Sequence, residues 1–269
     1  MPLSVCATPI GNLDDVTLRV LEELRSADVV LAEDTRHTRI LLERHGIRSR
    51  LLSYHEHNEA ARVAELLPRL AAGERIALVS DAGMPAVSDP GARLVRAALG
   101  AGIEVSVLPG ASAVTTALVA GGEGGGRFAF VGFLPRRAGE LAELWRETAS
   151  WAIPIVAFES AQRLPAALAS LAAADPAREV AVCRELTKRF EEIVRGPAGE
   201  LAARFAQPPR GEITLVVAAA PAGAGAAGLP EGLAAVAELV AAGTPRRVAA
   251  DVVAALTGLA RNALYRGTL

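Results

Sequence analysis

Of the 28 basic residues in this 269-residue chain, 27 are arginine and one, Lys188, is lysine. Where arginine has displaced lysine almost everywhere, the position that keeps an amine is a candidate for chemistry. An ammonium can hold an anion, and a lysine with a depressed pKa can take a proton. The string Glu33-Asp34-Thr35-Arg36-His37 is a second candidate. Its carboxylates could orient hydroxyls and Arg36 could grip a phosphate bidentately. The same string is also a good helix start, with a capping residue and first-turn acids. Thr8-Pro9-Ile10-Gly11-Asn12, Ser80-Asp81-Ala82-Gly83 and Leu108-Pro109-Gly110-Ala111-Ser112 combine small, turn-forming residues. Small residues admit a ligand to the backbone, and Asp81 can accept hydrogen bonds from an amine or a ribose. His55-Glu56-His57-Asn58 has no further clustered ligand beside it, and Cys6 and Cys183 cannot build a four-thiolate site, so no metal is expected. Neither a Walker lysine loop nor a Gly-x-Gly-x-x-Gly fingerprint follows the first apolar run, which argues against an NTPase or a dehydrogenase.

The elements that must position these groups alternate in the first half. Apolar runs at 5–7, 29–32, 50–53, 76–79 and 103–108 predict strands. Between them, helical periodicity predicts a helix capped by Asp14-Asp15 that carries Val16, Val20, Leu21 and Leu24. Further helices are predicted from the Glu33–His37 string to His45, and over 58–72, 91–99 and 111–120. Such alternation predicts an α/β layer with a mostly parallel sheet, whose strand ends carry the small-residue strings. The glycine run at 121–126 reads as a linker. Beyond it, strands are predicted over 128–133, 153–158 and 212–218, with a hairpin from 179–184 and 191–195. Helices over 139–150, 161–173 and 198–205 complete an α+β domain with a mixed sheet. Pro221 to Pro230 reads as a second linker, and the tail from 231 as helical. The expected organisation is therefore an α/β domain over 1–120, a second over 127–220, and a small helical region over 231–269. In the tail, runs at 246–256 and 259–265 suit a small helix-turn-helix or a packing element.

The hydrophobic share of 51% against 22% charged residues excludes a disordered tail protein. Two cysteines fit a reducing, cytoplasmic setting. No leader is evident, and Pro and Gly interrupt the longest uncharged stretches, at 105–122 and 213–230, so no membrane span is expected.

Eight strings then fall in order. They are Ala7-Thr8-Pro9-Ile10-Gly11-Asn12-Leu13, Ala32-Glu33-Asp34-Thr35-Arg36-His37-Thr38, Leu78-Val79-Ser80-Asp81-Ala82-Gly83, Ser88-Asp89-Pro90-Gly91, Leu108-Pro109-Gly110, Gly132-Phe133-Leu134-Pro135, Phe158-Glu159-Ser160 and Arg184-Glu185-Leu186-Thr187-Lys188. With the tail string Asn262-Ala263-Leu264-Tyr265, the chain resembles the ribosomal RNA small subunit methyltransferase I family of the tetrapyrrole methylase superfamily. Met84 departs from the pattern, standing where the family has threonine.

The resemblance implies two α/β domains with S-adenosylmethionine in the cleft between them, usually in a homodimer. It implies methylation of the ribose 2′-hydroxyl of a cytidine in the decoding region of small-subunit (16S) ribosomal RNA, with the assembled 30S particle as substrate. It implies a cofactor site made by Ile10, Asp81, Gly83, Met84, Ser112, Ala113 and Leu186. Lys188, Asp34 and Glu33 are the catalytic candidates, and Arg36, His37, Arg136 and Arg137 the substrate-binding ones. A lysine beside a cationic sulfonium would have a lowered pKa and could act as a base; as an ammonium it would instead steady a forming alkoxide. Glu159 and Glu185 either flank the cleft or pair with Arg163, Arg184 or Arg189.

The net charge of −2 leaves RNA binding to local basic spots, such as Arg136-Arg137 and the tail's Arg246, Arg247, Arg261 and Arg266. Aromatics at 4% leave little room for extensive base stacking. Two other readings remain: a methylase acting on an acidic porphyrin-like intermediate, and a non-catalytic RNA-binding protein that keeps the cofactor fold.

Overall fold

The computed structural model describes residues 2–221 and 229–268. Five strands, β1 (Leu3–Cys6), β2 (Val29–Ala32), β3 (Leu51–Ser53), β4 (Ile76–Val79) and β5 (Val105–Leu108), form a sheet in the order β3-β2-β4-β1-β5. Every pairing in it is parallel. β1, β2 and β4 are buried along their whole length, as expected of unbroken apolar runs covered on both faces. On one face, α1 (Leu18–Ser26) and α2 (Thr35–Arg44) pack Val20, Leu24, Leu41 and Leu42 against Cys6, Val30, Ala77 and Val79. On the other, α3 (Glu59–Ala71) and α4 (Ala92–Gly100) pack Leu66, Leu70 and Leu94 against Leu3, Val5, Leu31 and Leu78.

The second sheet contains β6 (Ala129–Phe133), β7 (Ile155–Ser160), β8 (Glu179–Arg184), β9 (Glu192–Pro197) and β10 (Glu212–Val217), in the order β6-β7-β10-β8-β9. It is mixed: β6 and β7 run parallel, and the remaining pairs are antiparallel, including the expected β8–β9 pair. One face is covered by α6 (Ala138–Glu147), α7 (Leu164–Ala174) and α8 (Ala198–Arg204). The opposite face takes α5 (Ala113–Gly121), whose Val114, Ala117 and Leu118 pack on Val156, Ala181, Cys183 and Val216. α5 thus precedes the glycine run in sequence yet covers the second sheet. The approach is close: a Cβ on Gly121 would stand 3.3 Å from those of Ala181 and Val216.

Two local expectations are corrected. Asp14 and Asp15 do not cap a helix. The Asn12 side chain accepts from the Asp14 N–H and closes a short 3-10 turn over Leu13–Asp15, while Val16 is extended. The α-helix begins one step later, where Thr17 accepts from the Val20 N–H at 3.2 Å. The expected second linker lies mostly outside the described residues, and its last two residues, Leu229 and Pro230, open α9 (Leu229–Ala241). Pro at the start of a helix is well placed, since that turn has no use for its N–H. α9, α10 (Arg246–Thr257) and α11 (Arg261–Gly267) share a core of Val236, Ala249, Ala250, Val253 and Leu264, drawn from the tail alone. Among the described residues, no helix is long and apolar enough to cross a membrane.

Candidate active site between the two sheets

The loops at the carboxyl ends of β1 and β4 are tied together. The Thr8 N–H donates to the Gly83 carbonyl at 2.8 Å, and the Gly83 N–H returns a bond to Thr8 at 3.1 Å. The Thr8 hydroxyl also donates to the Ser80 carbonyl at 3.0 Å. Gly83 has φ +74, a left-handed turn that a side chain would strain. This knot stands at the edge where open α/β sheets bind ligands. Facing it are the carboxyl ends of β6, β7 and β8 and the start of β10.

Between these walls lies a cavity of about 540 Å³. All seven expected cofactor residues line it: Ile10, Asp81, Gly83, Met84, Ser112, Ala113 and Leu186. Glu33 joins them from the end of β2. Backbone strain gathers at the same place. Among the described residues, the non-glycine residues with positive φ are Ala86, Ser88, Glu185 and Thr187. They lie in two loops that supply Met84, Val87, Ser88, Asp89 and Leu186 to the lining. Such conformations persist where the surrounding structure holds them, and they cluster at ligand sites.

The lining is acidic. It contains Glu33, Asp81, Asp89, Glu159 and Glu212, and no lysine, arginine or histidine. Burial and then the Asp81 charge push Glu33 upward. Burial and then the Glu33 charge push Asp89 up to about 7. Asp81 is a positioning group as well as a wall, since its Oδ1 accepts from the backbone N–H of Asp34 at 3.0 Å. Glu159 pairs with Arg163 at 2.5 Å and accepts from the Ser160 N–H at 2.6 Å, so it both flanks the cleft and is neutralised.

The remaining expected residues surround the cavity without lining it. Asp34 caps α2, accepting from the Arg36 N–H at 2.8 Å. Its carboxylate also holds the Arg36 guanidinium at 2.6 Å, and these bonds keep it far below the usual carboxylate range. The helix-start reading of this string therefore holds for Asp34 and Arg36, which satisfy each other. His37 Nδ1 lies 3.5 Å from Asp81 Oδ2. Arg136 and Arg137 are exposed just beyond Phe133, with Arg137 paired to Glu140 at 2.9 Å.

Lys188 sits behind the wall. Its Nζ donates to Glu185 at 3.0 Å and to Glu212, a lining residue, at 2.8 Å. Burial alone would lower its pKa, but the bonds to Glu212 and Glu185 outweigh burial and raise it. Of the two states expected for Lys188, these two carboxylates favour the ammonium. Glu185 is fixed in turn by the Glu212 N–H at 2.9 Å and by Gly211, where a Cβ would come within 2.5 Å of the Glu185 side chain.

Asp89, Phe133 and Phe158 line the cleft with no role expected from sequence. Each lay inside a recognised string, but only the fold shows which of those residues face the cavity. His55 and His57 meet edge to face at 5.9 Å, and among the described residues no group of three or more side chains could hold a metal.

A description of the tetrapyrrole (corrin/porphyrin) methylases matches residues 2–202. A protein of Micromonospora olivasterospora named ribosomal RNA small subunit methyltransferase I is 44% identical over 271 residues, covering 98% of this chain and 85% of that one. The chain belongs to the ribosomal RNA small subunit methyltransferase I family. A second family member, from Mesorhizobium japonicum, is also 44% identical, over 99% of this chain and 91% of its own. Among solved structures, the fold is shared by a uroporphyrin-III C-methyltransferase from Thermus thermophilus complexed with S-adenosylhomocysteine. That match has TM-score 0.55, 20% identity, and covers 80% of this chain and 96% of the other. The family's two-sheet architecture is therefore present here, with the cleft where the ordered strings converge.

Proposed function

We propose that this family member transfers a methyl group from S-adenosylmethionine to the ribose 2′-hydroxyl of a cytidine in the decoding region of small-subunit ribosomal RNA. The assembled 30S particle is the proposed acceptor and a homodimer the proposed working form, both carried over from the family. What supports the RNA reading over the porphyrin one is the 44% identity, over nearly the whole chain, to relatives named ribosomal RNA small subunit methyltransferase I. The lining also offers no lysine, arginine or histidine to the carboxylates of an acidic tetrapyrrole, whereas a neutral nucleoside needs none there.

The same lining fits the cofactor. A sulfonium and an ammonium suit a carboxylate-rich wall, and small residues such as Gly83, Ser112 and Ala113 admit a ligand to the backbone. The cavity volume also lies within the usual range for ligand pockets. When bound, the cofactor supplies an activated methyl group. The chain's own part is to orient a poor nucleophile and manage its proton, a positioning task worth roughly 7–11 kcal/mol in favourable cases. Asp89, raised to about 7 by burial and the Glu33 charge, is the lining group suited to accept a proton near neutral pH, and Glu33, raised by burial and the Asp81 charge, is the second candidate. Lys188, an ammonium bonded to the lining residue Glu212, is the group this reading assigns to balancing negative charge on that side of the cleft.

The test is methyl transfer from labelled cofactor to small ribosomal subunits lacking the modification, with naked RNA and a porphyrinoid in parallel. Label on one ribose, and its loss in Lys188→Ala with partial recovery in Lys188→Arg, is the expected result. Label on the porphyrinoid alone, or equal rates in Lys188→Ala and wild type, overturns the corresponding part. A protein that binds the particle but labels nothing would be the non-catalytic alternative.

A further inference from the structure

The chain has six phenylalanines, and two of them stand in solvent: Phe133 is 57% exposed and Phe190 66% exposed. The other four, Phe128, Phe130, Phe158 and Phe205, are partly or fully buried. Both exposed rings project from the cleft edge of the second sheet. Phe133 ends β6 and lines the cavity. Phe190 lies in the β8–β9 turn, the same turn that carries Leu186 and Lys188. The strand order sets three inter-strand spacings between β6 and β8, about 14 Å.

Neither ring is a loose surface side chain. The β6–β7 register breaks between Phe130 and Phe133, where Gly132 has φ +71. A bulge of this kind re-aims the following side chain. The Phe133 ring is then braced edge to face by Phe158 at 5.5 Å, and Phe158 by Phe130 at 5.0 Å. Phe190 carries the Arg189 guanidinium 5.6 Å from its centroid. Cations accompany both rings, since Arg136 and Arg137 follow Phe133, and Arg136 makes no ion pair among the described residues.

We propose that Phe133 and Phe190 are two stacking platforms for single-stranded RNA, Phe133 holding the base of the acceptor nucleotide and Phe190 a flanking base. The proposal rests on the ribosomal RNA reading above and deepens it. A flat π face with a neighbouring guanidinium is the chemistry that grips an unpaired base and its phosphate. A protein surface would need neither the arginines nor the separation of the rings. The low aromatic content leaves few such places, and the fold puts these two on one edge.

Phe133→Leu and Phe190→Leu keep the apolar bulk and remove the ring face; Phe→Trp at each position restores it. Both sites are exposed, and melting curves confirm that each variant folds. The acceptor is the unmodified small subunit, and the reads are KM for the particle, cofactor Kd and sedimentation. Each leucine variant is expected to raise KM about 5- to 150-fold, with tryptophan recovering most of it, at unchanged cofactor affinity and oligomeric state. Three results overturn the proposal. KM unchanged in both leucine variants removes stacking. Weakened cofactor binding in Phe133→Leu assigns that ring to the cofactor instead. An altered oligomeric state in Phe190→Leu makes that ring a subunit contact. If the wild-type protein itself labels no RNA, the ribosomal reading fails first, and the wild-type control alone reveals it.

Discussion

Gly11→Ala tests whether the loop after β1 sets the position of the lysine loop. A Cβ on Gly11 would stand 2.5 Å from Lys188 Cγ, 2.8 Å from the Leu186 carbonyl oxygen and 2.8 Å from Thr187 Oγ1. Relief to an ordinary contact needs a shift of about 1 Å. The lysine stem could swing aside, but the Leu186 carbonyl is backbone and cannot. Its loop is also held: Thr187 has φ 65 and accepts from the Asn12 N–H at 3.0 Å. Overpacking of this kind costs roughly 1–3 kcal/mol. For a chain of this size that lowers the melting temperature by roughly 2–12 °C. A displacement of about 1 Å at a reacting centre costs on the order of 100-fold in rate. The assay is initial-rate methyl transfer alongside thermal melting, with Gly139→Ala as control. Gly139 lies in α6 with nothing within 4 Å of its built Cβ, so that change should be neutral or slightly stabilising. Wild-type rate and melting in Gly11→Ala would refute the reasoning, because the lysine loop would then be compliant. A lowered melting temperature at full rate would make the contact structural alone.

Two further outcomes follow from buried charges. In the folded protein Asp89 holds its proton up to about pH 7, against an ordinary value of 3.8. The folded state therefore binds more protons than the unfolded state between those values, and stability falls as pH rises through that window. Asp89→Asn should match wild type near pH 4 and exceed it in denaturant melts above pH 7; parallel stability curves would show that Asp89 feels no such burial. Arg178, 5% exposed, donates to the Ala149 and Thr148 carbonyls at 3.1 Å each, closing the end of α6. Arg178→Met should cost about 1–3 kcal/mol in chemical denaturation by leaving the Ala149 carbonyl unpaired, since the Thr148 carbonyl keeps the Trp151 N–H at 3.1 Å, and a loss under 1 kcal/mol would show that water replaces the guanidinium.

Much of this architecture is local and so is legible in the chain. Runs such as Val29-Val30-Leu31-Ala32 are strands buried on both faces because no polar residue interrupts them. The β8–β9 pair follows from two adjacent apolar stretches, and the ordered strings name the family before any coordinate does. The seven residues that the family resemblance assigns to the cofactor all line one cavity, because the small-residue strings stand at strand ends that the fold gathers. Asp14 and Asp15 misled because the competing Asn12 turn and Thr17 cap differ from them by a few residues, within which several side chains could cap.

What the amino-acid sequence determined by itself was the set of elements, their order and the strand ends that carry the small-residue strings, because periodicity, capping and turn chemistry act within a few residues. The tertiary structure decided the state of each group at those ends. Lys188 stays an ammonium despite burial because Glu212, 24 residues away, comes within 2.8 Å and Glu185 within 3.0 Å. Asp89 is raised because the fold withdraws it from water and then brings the Glu33 charge near it from the end of β2. Asp34 and Arg36 satisfy each other at a helix start, α5 crosses to the second sheet, and a bulge turns Phe133 into the cleft. Charge, burial and stacking depend on distances between residues far apart in the chain, and only folding sets those distances.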